Sequence, residues 1–104
     1  MYRVTTPTHT FTLPIETSEC SAIQVTYKQN CKSLIKLYSD GVLSDGMTIN
    51  GKDVIINLTQ QETKTFKAGP VDVQLRALTT GDKAYASQHF TVSVLEVNNE
   101  DILL

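Results

Sequence analysis

The stretch Leu58–Leu78, LTQQETKTFKAGPVDVQLRAL, constrains the fold more than any other part of the chain. Thr59-Gln60-Gln61-Glu62 has the spacing of a capping box, a hydroxyl residue followed three positions later by an acid. Ala68-Gly69-Pro70 ends the turn that the box begins, because glycine accepts a left-handed conformation and proline cannot prolong a helix. Val71, Val73, Leu75 and Ala77 then alternate with Asp72, Gln74, Arg76 and Leu78, the pattern of a half-buried strand. A strand, one helical turn near residues 59–66 and another strand is a device for passing a chain between two packed sheets. Phe66 is the expected plug beneath that turn. Gln60, Gln61, Glu62 and Lys64 are read as its cap and solvated side.

The rest of the chain extends this pattern. Thr8 to Ile15 alternates, with Phe11, Leu13 and Ile15 on one face, and Pro14 suits an edge strand because it cannot donate a ladder hydrogen bond. Ala22 to Lys28 places Ile23, Val25 and Tyr27 inward. Lys32 to Tyr38 is expected to turn Ile35 and Leu37 inward, with Leu34 and Tyr38 on the other face. Asp40-Gly41 and Asp45-Gly46 are turn signals around Val42-Leu43, and Asn50-Gly51 is the strongest hairpin signal. Met47–Ile49 and Asp53–Leu58 flank it as strands. Ala84 to Leu95 reads as one long strand with Ala86, Phe90, Val92 and Val94 on a common face.

Strands separated by turns at roughly 8–12-residue intervals, with no readable helix long enough for a parallel crossover, predict an all-β fold. The expected architecture is an immunoglobulin-like antiparallel β-sandwich of about seven to eight strands. Residues 1–95 form the domain and 96–104 a tail. A chain of 104 residues buries roughly 65% of its unfolded surface, enough for its own core.

Charge and motif spacing narrow the function classes. The net charge is −2 and the nine Lys and Arg are scattered, so no basic stripe marks a nucleic-acid partner. No apolar run approaches the roughly 18 residues of a membrane helix, and the N-terminus lacks the apolar core of a signal peptide. Cys20 and Cys31 flank an extended segment that holds their Cα atoms on the order of 25–35 Å apart, so both are expected as free thiols, in keeping with a reducing cytoplasm. His9 and His89 have no metal-ligand spacing, and His89 is read as solvated. The Asp40–Asp45 segment fails the calcium-loop pattern at Val42. Asn57-Leu58-Thr59 matches a glycosylation sequon and, with no leader, is read as coincidence. No catalytic residue, cofactor or metal site is expected. The candidate contact surface is Leu34, Tyr38, Leu78 and Tyr85, read as outward-facing, with the apolar ending Ile102, Leu103 and Leu104.

Four blocks carry a resemblance that covers most of the chain: His9–Leu13, Ile56–Thr63, Ala68–Arg76 and Ala86–Val94. Together they resemble small immunoglobulin-like structural proteins of Firmicutes phages and prophages, among them the N-terminal domain of siphophage upper baseplate proteins. The resemblance implies a non-enzymatic virion component of a tail, baseplate or neck, assembled in the bacterial host cytoplasm. It implies contacts with other virion proteins or with copies of itself, and the scattered charge and lack of a long apolar run predict neither nucleic acid nor membrane as partner. An accessory adhesion or carbohydrate-binding module is the alternative.

Overall fold

The structure, a computed structural model, describes residues 1–86, 89–99 and 102. Among the described residues nine strands run in chain order: β1 (Thr8–Thr12), β2 (Cys20–Gln29), β3 (Lys32–Ser39), β4 (Val42–Leu43), β5 (Met47–Asn50), β6 (Asp53–Asn57), β7 (Gly69–Thr79), β8 (Ala84–Ala86) and β9 (Phe90–Val94). One helical turn, α1 (Gln60–Lys64), lies between β6 and β7, and a 3₁₀ turn spans Thr17–Glu19. The smaller sheet has the order β1-β6-β5; the larger runs β4-β3-β2-β7, with β8 and β9 both paired to the far side of β7. Every pairing between these strands is antiparallel. The chain is therefore an all-β sandwich, as its pattern predicts.

The turns follow their residues. Asp40 and Gly41 both take positive φ (48° and 84°) between the paired Ser39 and Val42, as the favoured two-residue hairpin turn requires. The Asn50-Gly51 signal makes a hairpin as expected, but Gly51-Lys52 is its loop, and Gly51 alone takes positive φ at 59°. Gly46 is the tightest site: φ is 79°, and a Cβ there would meet the carbonyl oxygen of Asn57. Gly46→Ala should cost about 2 kcal/mol in urea unfolding, from left-handed strain together with displacement of backbone.

One core joins both sheets. Ile23, Val25 and Tyr27 of β2, Val71, Val73 and Leu75 of β7, and Val54 and Ile56 of β6 interdigitate there, with Leu58 and Phe66 closing the α1 end. The predicted capping box is complete: the Thr59 side chain accepts from the Glu62 N–H (3.1 Å), and Glu62 Oε1 accepts from the Thr59 N–H (2.9 Å). The N-terminal arm locks the other end of the turn. Arg3 Nε donates to the Phe66 carbonyl (2.7 Å) and an Arg3 terminal nitrogen donates to that of Lys64 (2.9 Å), so a cation meets the carbonyls a helix end leaves unpaired. Thr63 Oγ1 accepts from the Thr5 N–H and donates to the Thr5 carbonyl. Gln29 clamps the exit, exchanging hydrogen bonds of 2.8 Å with the carbonyl and N–H of Lys67.

Two facings differ from the sequence reading. In β3, Leu34, Lys36 and Tyr38 face inward, and Ile35 and Leu37 face out. The register decides this: Leu34, Lys36 and Tyr38 lie opposite the core residues Tyr27, Val25 and Ile23, and directly opposed residues share a face. The predicted long strand Ala84–Leu95 is divided into β8 and β9, and its register advances by one residue between Ala86↔Arg76 and Phe90↔Val73. A shift of one exchanges the two faces. Ala86 therefore lies on the outer face and Tyr85 on the inner one, the reverse of the expectation.

Candidate functional site: an apolar outer sheet face and an open seam

The expected contact residues do not form one patch. Leu34 and Tyr38 are partly buried against the core, and Leu78 faces outward, as read. Tyr85 shares its face with Ala77, which it opposes, yet remains 39% exposed. Ile102 is partly buried and outside any strand; Leu103 and Leu104 lie outside the described residues.

An apolar surface exists nonetheless, built from different side chains. On the outer face of the large sheet, Ser39, Ala22, Leu78 and Ala84 form one cross-strand row, and Leu37, Gln24, Arg76 and Ala86 form the next. Ile35 extends it. Ile35, Leu37 and Leu78 are 50%, 41% and 38% exposed. Leu37 and Leu78 line one shallow depression of about 240 Å³ together with Ala22, Ala84 and Tyr85 and the polar Gln24 and Arg76. Ile35 and Leu37 are absent from the expected surface because the opposite choice, a face made of Leu34, Lys36 and Tyr38, buries a charge. The signal that could have found them is Glu62, a cap residue with one carboxylate oxygen to spare.

That oxygen explains how the charge is buried. Lys36 Nζ donates to Glu62 Oε2 (2.5 Å) and to the Asp45 carbonyl (2.7 Å). Partial burial alone would raise the Glu62 pKa, but the hydrogen bonds from Lys36 and from the Thr59 N–H outweigh it and hold the carboxyl below its ordinary value. Nearby, His9 Nδ1 lies 2.7 Å from the Tyr27 hydroxyl and the two rings are 5.6 Å apart. Burial pushes the Tyr27 pKa up, reinforced by the negative charge of Glu62. Burial, with help from the N-terminal ammonium, pushes the His9 pKa down, which favours the neutral imidazole beside the Tyr27 hydroxyl.

Both shifts give stability the same pH sign. A histidine whose folded pKa is depressed favours folding above its unfolded value near 6.5, and that contribution fades as pH falls below it. A carboxylate with a depressed folded pKa contributes above its unfolded value near 4.5 and loses that contribution on further acidification. The urea midpoint is expected to decline below about pH 6.5 and to decline further below about pH 4.5. His9→Gln should remove the first decline and leave the second. A flat midpoint from pH 7 to 4 would contradict this placement of both groups.

The second surface is a seam where the sheets part. A groove of about 350 Å³ runs between β1 and β8–β9, lined by Phe11, Leu13, Pro14, Leu75, Tyr85 and Phe90 among others. Phe11 and Phe90 meet across it, with ring centroids 6.2 Å apart. Elsewhere the side chains offer little concerted chemistry. Cys20 is buried and Cys31 exposed, both free as expected. His89 is exposed and donates to Asp72 Oδ2 (2.6 Å). Among the described residues no three His, Cys, Asp or Glu side chains converge as metal ligands, and no helix is long and apolar enough to cross a membrane.

No protein-family model, curated protein or solved structure matches the chain.

Function must therefore be argued from these surfaces. His9–Leu13, Ile56–Thr63 and Ala68–Arg76 fall on β1, on the end of β6 with α1, and on β7, and belong to the construction of the sandwich. The outer face and the seam are what this construction presents to other molecules.

Proposed function

We propose that this chain is a non-enzymatic structural component of a phage or prophage virion, in a tail, baseplate or neck. It acts by protein–protein contact with other virion proteins or with copies of itself. The observation that carries this reading is the outer face of the large sheet. Ile35, Leu37 and Leu78 stand half-exposed on a regular, strand-borne surface, bordered by the small residues Ala22 and Ala84. Half-exposed aliphatic side chains on a rigid sheet, set among polar groups such as Gln24 and Arg76, serve as a contact site, since they lower their free energy by leaving water. The resemblance supports the virion setting. The adhesion or carbohydrate reading stands second: among the described residues the seam groove is lined chiefly by apolar side chains, with the hydroxyls of Thr10, Thr12 and Tyr85 as its polar groups and no charged or amide side chain to orient a sugar.

The decisive experiment is to purify particles released by a host carrying the gene, band them on a density gradient and measure the chain by quantitative mass spectrometry. The proposal expects it in the particle band at a fixed copy number per particle. Its presence only in the soluble fraction would overturn the virion reading.

A further inference from the structure

The two sheets differ in width, and the mismatch is concentrated at one edge. The small sheet is three strands wide, while the large one is five positions wide, because β8 and β9 share the last position. On the β5 side the smaller sheet reaches its neighbour: β5 approaches β3, and Met47 is buried. On the β1 side it stops short. Phe90 and Tyr85 lie opposite the core residues Val73 and Ala77 and share their inner face, yet they are 48% and 39% exposed. The groove beside β1 is the volume a fourth strand of the small sheet would cover.

The backbone at that edge is set for a fourth strand. Leu13 donates to the Lys52 carbonyl and Leu58 donates to that of Pro7, so the odd-numbered residues of this segment bond to β6. By antiparallel alternation, Thr8, Thr10 and Thr12 turn their N–H and C=O groups to the other side, where no described strand pairs. An edge with donors and acceptors presented beside an apolar floor is the geometry of strand addition. The scale selects the occupant. β1 has five residues, about 17 Å of edge. One strand laid along that length covers an area far below the roughly 800 Å² per partner of a folded-domain interface, so the edge fits a single extended segment.

We infer that the seam between β1 and β8–β9 is a strand-acceptor groove for an extended segment of another protein, apolar at alternate positions. Its backbone pairs with Thr8, Thr10 and Thr12, and its alternate side chains cover Tyr85 and Phe90. This surface adjoins the outer-face depression at Tyr85, and its occupancy does not depend on the virion reading.

The test titrates isotope-labelled protein with a short capped peptide alternating threonine and valine, using a threonine–serine peptide as control. Saturable amide shifts at Thr8–Thr12, with changes in the Phe90 and Tyr85 ring signals, are expected for the valine peptide only. Thr10→Pro removes an outward N–H without touching a bond to β6 and should weaken binding about tenfold. Phe90→Ser, at a half-exposed site, should weaken it similarly, and both variants should keep thermal midpoints near that of the parent. Shifts at the β4 or β5 edge, shifts on the outer face, or no saturable shift would overturn the inference. So would binding that Thr10→Pro leaves intact. Self-association of the parent that Thr10→Pro abolishes would replace the proposed occupant by a second copy. The measurement uses the isolated chain, so a failed titration is distinct from failure of the particle experiment.

Discussion

Phe66→Ala should lower the free energy of unfolding by about 3–5 kcal/mol. Phe66 is 1% exposed and closes the core where the chain crosses from β6 to β7. Its backbone is fixed from outside: the carbonyl accepts from Arg3, and the next residue, Lys67, is clamped by Gln29. The site is therefore poorly able to collapse around a lost ring, which places the cost toward the upper part of the range for a phenylalanine deletion. Equilibrium urea unfolding measures it. A loss below about 1 kcal/mol would show that the crossing is not packed as described.

Lys36→Ala is expected to cost about 3 kcal/mol. The substitution leaves the Glu62 carboxylate without its ammonium and the Asp45 carbonyl without its donor. The penalty falls at the low end for breaking a buried pair, because the Glu62 side chain keeps 20% of its exposure and regains some hydration. The double variant Lys36→Met, Glu62→Gln should recover most of the loss, since a methionine fills the space and no bare charge remains. Near-neutrality of Lys36→Ala would place this ammonium in solvent and reverse the facing of β3.

The strands and the crossing were legible because each rests on local chemistry. The capping box and the alternation of β7 act over a few residues and appear in the structure where the sequence places them, the hairpin loop lies one residue on at Gly51-Lys52, and the helix ends at Lys64, ahead of the expected Ala68-Gly69-Pro70 stop, where Gly69 and Pro70 already open β7. The contact surface was less legible because its two errors are matters of parity. In β3 an alternating reading must choose between burying two aliphatic residues and burying a lysine, and the choice turns on Glu62, 26 positions away. In β8–β9 a single-residue register shift exchanges the faces of Tyr85 and Ala86, and no local composition signals it. The open seam was illegible for a related reason: it arises from the number of strands in each sheet, a property of pairing across the whole chain.

The most direct test of the contact role is incorporation into particles of the double variant Leu37→Asp, Leu78→Asp. Both side chains are substantially exposed, so the isolated variant should keep a thermal midpoint close to that of the parent chain. With two carboxylates on the outer face, the variant should be lost from the particle band while remaining folded in the soluble fraction. A folded variant found in particles at the parent's copy number would contradict the claim that this face makes the contacts.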